Sequence, residues 1–207
     1  MNSEPHTVEV FYDVSSPWTY LAFVRLVHLE QKLGLEFDWR PILVGGVFNA
    51  VNETVYETRA NPHPVKGRYY IKDLQDWARF VGIRIGQPPV FPVRSVAAMR
   101  AAIYAKGEGL LIPFSLALFE AYWGDLKDIS QWEEIRACAE STGLEPEAVQ
   151  RAAESPEMKA ALASNTQDLI DRGGFGSPTI YIDGKDMYFG NDRMELIESK
   201  LAGGSGL

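Results

Sequence analysis

Ser16 and Thr19, three apart in "FYDVSSPWTYLA", stand where thiol-redox proteins often carry the two thiols of a C-x-x-C turn. The only cysteine, Cys138, lies far along the chain, so no disulfide can form within it. Ser16 before Pro17 has the pattern of an ordinary helix N-cap with proline at the first helical position. The same place offers unpaired N–H groups and partial positive charge, which favour a bound anion. A thiolate held there would be stabilised, and a hydroxyl could donate it one more hydrogen bond. A serine-hydrolase role fits less well, because no G-x-S-x-G elbow is present and His6, His28 and His63 have no diagnostic context. Surface or structural roles suit the three histidines better. Metal-binding spacings such as H-E-x-x-H or paired C-x-x-C are absent.

Three other stretches carry polar groups worth placing. In "GGFGSPTIYIDG", Pro178 opens a predicted strand directly after Ser177, as an edge-strand proline would. In "FGNDRMELI", Asn191 or Asp192 could cap the last helix, with Glu195 completing a capping box from Asp192. Alternatively the pair could hold a ligand's ammonium and carboxylate groups. In "NPHPVKG", Asn61 and Lys66 read in isolation as solvated loop polarity.

These residues need a framework. "TVEVFYDV" predicts a strand from Val8 to Tyr12, and apolar spacing predicts a helix from Pro17 to Leu33, stopped by Gly34. "LEFDWRPIL" predicts a second strand, ended by Pro41 and the Gly45–Gly46 pair, so strand, helix and strand suggest a parallel crossover. "NETVYETRANPHPVKG" is expected as a polar loop, and helical segments fill the chain from "RYYIKDLQDWARFVG" to "SPEMKAALASNTQDLIDRGG". "SPTIYIDGKDMYFG" predicts a hairpin turned at Asp183–Gly184, then a closing helix and a flexible "GGSGL" tail. The expected fold class is α/β. A thioredoxin-like core, β-α-β then β-β-α, is split by an all-helical insertion. The expected division is 1–44 with 165–207 for the core and 45–164 for the insertion. In such a core a proline at position 178 is expected to be cis and to face the first helix's start. The backbone of Ser177 would then be open to pair with an extended, peptide-like ligand.

At 207 residues the chain suits one compact domain, or a small domain with an insertion. Its 46% hydrophobic and 12% aromatic content is that of a globular protein. Twenty basic against 28 acidic residues give a net charge of −8, which argues against a general nucleic-acid binder. The most apolar run, "LLIPFSLALF", is too short to span a bilayer and contains proline. With no secretion pattern in "MNSEPHTVEV" and one cysteine, a soluble cytoplasmic protein is expected.

Taken together, "VEVFYDVSSPWTYLAF", "NPHPVKGRYYIKDLQDWARFVG", "FGSPTIYIDG" and "FGNDRMELI" resemble the kappa-class glutathione transferases. Within that group they resemble most the bacterial 2-hydroxychromene-2-carboxylate isomerases, from about Thr7 to Leu201. The fold family also includes disulfide oxidoreductases with C-P-W-C at this turn, from which "SPWT" departs at both sulfurs. The resemblance implies glutathione as cofactor. Ser16 would hydrogen-bond its sulfur, Ser177 and cis Pro178 would meet its cysteinyl part, and Asn191 and Asp192 its γ-glutamyl end. Asn61 and Lys66 would lie over its glycine end or the substrate pocket, where Lys66 could pair with a substrate carboxylate. Trp18, Tyr69 and Trp77 would wall an aromatic ring, or simply pack in the core.

The implied activity is cis-trans isomerisation of an aromatic catabolic intermediate such as 2-hydroxychromene-2-carboxylate, by reversible thiolate addition. A free thiol has a pKa of about 8.5, and lowering it by about two units requires about 2.7 kcal/mol of preferential thiolate binding. A helix N-terminus worth up to about 1–2 kcal/mol and a Ser16 hydrogen bond worth about 1.5–3 kcal/mol could supply that. The resemblance also implies a homodimer. Alternatives are a kappa-like transferase that releases a conjugate, and a non-catalytic thiol-peptide binder. A disulfide oxidoreductase ranks lowest, since Cys138 has no partner sulfur.

Overall fold

The computed structural model describes residues 6–203, which leaves most of the expected C-terminal tail outside the described residues. Strand β1 (Val8–Tyr12) is an inner strand of the sheet. Its alternation is two-sided, because Val8, Val10 and Tyr12 enter one apolar cluster and Phe11 enters another. Helix α1 (Pro17–Leu33) follows, capped by Ser16 in extended conformation and ended by Gly34 at φ 63°. Strand β2 (Phe37–Pro41) returns parallel to β1, pairing Val8 with Phe37 and Tyr12 with Pro41. Near the other end of the chain, β3 (Thr179–Ile182) and β4 (Asp186–Phe189) form an antiparallel hairpin. Strand β3 docks antiparallel on β1, so the sheet order is β2-β1-β3-β4. Asp183 at φ 53° and Gly184 at φ 71° turn the hairpin, as the Asp-Gly signal predicts.

Nine further α-helices follow among the described residues. They are α2 (Val44–Val51), α3 (Thr54–Ala60), α4 (Pro64–Val81), α5 (Val96–Gly107), α6 (Leu111–Phe119), α7 (Trp132–Ser141), α8 (Pro146–Glu154), α9 (Pro156–Asp171) and α10 (Met194–Leu201). Helix α6 runs into a π-helical turn at Glu120–Gly124, and a 3-10 turn at Asn191–Arg193 precedes α10. The order is that of a thioredoxin-like α/β fold carrying inserted helices. No helix among the described residues is long and apolar enough to cross a membrane.

Two local expectations change. Gly45 and Gly46 sit in the first turn of α2 rather than closing a strand. Gly46 faces α9, where a Cβ on it would stand 3.4 Å from the Thr166 methyl, an ordinary van der Waals contact. The stretch expected as a polar loop holds α3 and the start of α4. Helix α3 buries no residue, so it leaves no apolar period to read.

The main core lies between one sheet face and α1 with α5–α8, where Tyr12, Phe23, Trp39 and Phe119 form a cluster of rings. A second core, of Phe11, Ile42, Val47, Leu169 and Tyr181, lies on the other face under α2 and α9. Helix α9 runs unbroken through the expected boundary at 164/165; Leu162 joins the main core and Leu169 the second.

Candidate functional site

The turn between β1 and α1 is held from several sides. Asp13 is fully buried, and its carboxylate accepts from the Ser15 N–H at 2.9 Å, the Val44 N–H at 2.8 Å and the Ser95 hydroxyl at 3.1 Å. Burial raises its pKa, and the Ser15, Val44 and Ser95 hydrogen bonds oppose that rise. Through these contacts one side chain ties the turn to the starts of α2 and α5. From the π-helical turn, the Trp123 indole N–H donates to the Val14 carbonyl at 2.9 Å. Such a turn widens a helix by one residue and commonly accompanies functional sites.

Ser16 is half-buried at the start of α1. Its Oγ accepts from the Thr19 N–H at 3.2 Å and leans its own donor towards the Ser177 carbonyl at 3.5 Å. Capping therefore uses an oxygen lone pair and leaves the proton on a long contact. The cap and the anion host that the sequence offers for Ser16 can coexist in one hydroxyl. Thr19, the second position of the C-x-x-C pattern, is fully buried and its hydroxyl lies 2.8 Å from Ser177 Oγ. Ser177 Oγ also accepts from the Asp13 N–H at 3.0 Å. Both positions of the C-x-x-C pattern thus face the loop before β3.

The Ser177–Pro178 peptide is cis. Among the described residues the Ser177 N–H has no hydrogen-bond acceptor, and its carbonyl takes only the long Ser16 contact. Beside this loop lies a cavity of about 360 Å³ lined by Ser177, Pro178, Trp18 and Trp77. Asn191, Asp192, Phe189 and Arg193 close it from the β4 side, and Asp73 from α4. Asn191 is 4% exposed, and its side-chain Oδ1 is buried without a hydrogen-bond partner among the described residues. An acceptor left bare at that depth is costly unless a ligand supplies a donor. Asp192 makes no cap bond to α10; its carboxylate pairs with Arg193 at 2.8 Å, and Glu195 pairs with Arg25 instead of boxing the helix.

Six of the sequence candidates, Trp18, Trp77, Ser177, Pro178, Asn191 and Asp192, therefore share one cavity, with Ser16 against its Ser177 wall. Asn61, Lys66 and Tyr69 do not line it, and all three are exposed. The neighbouring Tyr70 takes a hydrogen bond from the Trp18 indole at 3.1 Å and meets its ring edge-on at 5.5 Å. Burial raises the Tyr70 pKa, against the Trp18 hydrogen bond and the Arg59 charge. Arg25 was not marked by the sequence reading. It donates to the Asn191 carbonyl at 2.6 Å and lies 5.1 Å from the Trp77 ring, fixing both walls. Its signal was a lone charge inside the apolar run "FVRLV". His63 caps α4 through Nδ1, and His6 pairs with Asp183. Cys138 is buried in α7, and burial pushes its thiol up to about 11. A shallower depression of about 610 Å³ lies between α7 and α8, where Arg136 is already engaged by Glu147 and Gln150.

The model of the DSBA-like thioredoxin domain matches residues 7–202. The chain is 28% identical to 2-hydroxychromene-2-carboxylate isomerase of Sphingobium xenophagum, over 94% of this chain and 97% of that one. It is 31% identical to glutathione S-transferase kappa 1 of Homo sapiens, over 97% of this chain and 93% of that one. A solved 2-hydroxychromene-2-carboxylate isomerase superposes with a TM-score of 0.80 at 28% identity, covering 95% of this chain and 94% of its own. A probable DsbA oxidoreductase from Streptomyces coelicolor, at 15% identity and a TM-score of 0.73 over 98% of this chain and 92% of its own, shares the fold alone. With its resemblance to those two enzyme groups now matched by alignments that span nearly the whole chain, the protein belongs to the DSBA-like thioredoxin domain family, beside the 2-hydroxychromene-2-carboxylate isomerases and the kappa-class glutathione transferases.

Proposed function

We propose that the protein is a glutathione-dependent isomerase of a small aromatic substrate such as 2-hydroxychromene-2-carboxylate, working as a cytoplasmic homodimer. The observation that carries the glutathione site is the bare, buried Oδ1 of Asn191 in the same cavity as the Ser177 backbone. That acceptor suits the ammonium of a γ-glutamyl group. Asp192 and Arg193, already paired, match the two charges of that group's zwitterion. The Ser177 N–H and C=O suit the peptide of a cysteinyl residue, in the manner of an added strand. A tripeptide bound in this way would direct its thiol end towards Ser16.

Glutathione, when bound, supplies a thiolate whose reversible addition to a conjugated carbon lets the neighbouring bond rotate before the thiolate leaves unchanged. Ser16 donates its hydroxyl proton to that sulfur while keeping the cap on α1. The helix start adds its partial positive charge at the same point. Asp13, Trp123 and Thr19 hold the turn and the Ser177 loop at fixed separation, so the donors are aimed before the ligand arrives. Trp18 and Trp77 supply flat apolar walls beside the sulfur's place.

A second reading is favoured by the 31% identity to a kappa-class glutathione S-transferase: the same site would conjugate an electrophile and release the product. Counting free thiol during turnover of 2-hydroxychromene-2-carboxylate separates the two. Isomerisation leaves glutathione at its starting concentration over many turnovers, and stoichiometric loss would establish the transferase. Binding of glutathione without turnover of either kind would leave a thiol-peptide binder.

A further inference from the structure

Arg59, in α3, has an unusual environment for an exposed arginine. Its guanidinium carbon lies 5.3 Å from the centre of the Phe48 ring and 5.5 Å from that of Phe91. The other arginines set over rings, Arg25, Arg40 and Arg172, all pair with carboxylates. Arg59 has no acid partner among the described residues. The sequence is consistent with this, because Val55 and Tyr56 precede Arg59 by four and three positions in α3, and Pro62 and His63, beyond the end of that helix, are not acids either. A guanidinium set against rings and not against a carboxylate keeps N–H donors for the planar fork that fits a carboxylate.

Arg59, Phe48 and Phe91 lie outside the lining of the cavity, and two contact routes lead from them to its walls. Phe48 lies 3.7 Å from where a Cβ on Gly176 would stand, next to Ser177, and the cavity-lining Phe189 meets the same glycine. The Phe91 ring is 6.0 Å from that of Trp123, whose N–H holds the Val14 carbonyl of the Ser16 turn. The Arg59 charge also acts on Tyr70, the partner of Trp18. Lys66, the cation that the resemblance suggested for a substrate carboxylate, is exposed and stands over no ring among the described residues.

We propose that Arg59, framed by Phe48 and Phe91, is the anion anchor of the acceptor-substrate site and selects electrophiles that carry a carboxylate beside a planar ring. This rests on the glutathione reading for its catalytic meaning, but its binding test does not. The test compares coumarin-3-carboxylate with neutral coumarin by titration calorimetry, in the wild-type protein and in Arg59→Gln, Arg59→Lys and Lys66→Gln. The wild type should prefer the carboxylate by about 10- to 100-fold, the range of a charge-assisted hydrogen bond. Arg59→Gln should bring the two affinities within about two-fold, and Arg59→Lys should keep part of the preference, as a point charge without the fork. Equal affinities in the wild type, no binding of either probe, or loss of the preference in Lys66→Gln instead would overturn the assignment. A separate glutathione titration keeps the two questions apart, since its failure would sink the glutathione reading and leave the carboxylate preference standing.

Discussion

At the scale of single residues the site depends on hydroxyl groups with divided duties. Ser16 spends a lone pair on the Thr19 N–H and keeps its proton for a partner, so removing it costs both a cap and a donor. Ser16→Ala should lower turnover with glutathione by about 10- to 1,000-fold, while the lost cap lowers stability by only about 0.5–2 kcal/mol. Steady-state rates beside a thermal melt check this, and an unchanged thiolate absorbance in the glutathione complex would count against the role. Thr19 acts one step back, through Ser177. In Thr19→Val the 2.8 Å contact disappears while the Asp13 N–H bond to Ser177 remains. Stability should fall by about 1–3 kcal/mol, and glutathione affinity should weaken more than the rate at saturation. A drop in the saturated rate with affinity intact would instead place Thr19 beside the reacting atoms. Ser16 and its helix start were legible from the sequence, since a Ser-Pro cap after a strand is local chemistry. The task of Thr19 was not, because its partner is 158 positions away.

At the scale of elements, the 3-10 turn Asn191–Arg193 depends on the glycine before it. Gly190 has φ 100° and ψ 168°, a conformation open almost only to glycine, and a Cβ there would meet an Asp192 carboxylate oxygen at 2.9 Å. Gly190→Ala should therefore cost about 1–3 kcal/mol and displace Asp192. Urea unfolding reads the first effect. The second should appear as weaker glutathione binding, and full affinity in the variant would show that Asp192 is not a ligand. The same stretch shows where pattern reading stops. A capping box from Asp192 to Glu195 satisfies the spacing rule, yet Arg25 of α1 takes Glu195 and Arg193 takes Asp192. A partner supplied by tertiary packing, Arg25, and an adjacent one, Arg193, displaced the capping box. Helix α3 leaves no pattern for the opposite reason: with nothing buried, it has no apolar periodicity, though it carries Arg59.

For the molecule as a whole, the second sheet face is sealed by charge as well as by apolar side chains. Glu9 of β1 accepts from Arg40 at 2.7 Å and from Arg172 at 2.9 and 2.6 Å, and Asp168 of α9 accepts from both arginines. The Arg172 hydrogen bonds hold the Glu9 carboxyl below its ordinary range, against the effect of burial. A carboxyl whose folded pKa is depressed stabilises the fold fully above its unfolded pKa and loses that contribution as pH falls through the folded value. Unfolding free energy should thus decline as pH falls below the ordinary glutamate value of 4.5, and Glu9→Gln should flatten that slope. An identical slope in the variant would remove Glu9 from the account. This network joins β1, β2 and α9 across the position where the sequence suggested a domain boundary. By itself the sequence determined the strands, the long helices, the hairpin turn and the Ser16 cap, all of which rest on neighbours within a few residues. Only the tertiary structure decided that Asn191 is left with a bare buried acceptor, that Thr19 braces Ser177, and that Arg59 stands between two rings without an acid. Those are properties of distance between residues far apart in the chain, and no local pattern encodes them.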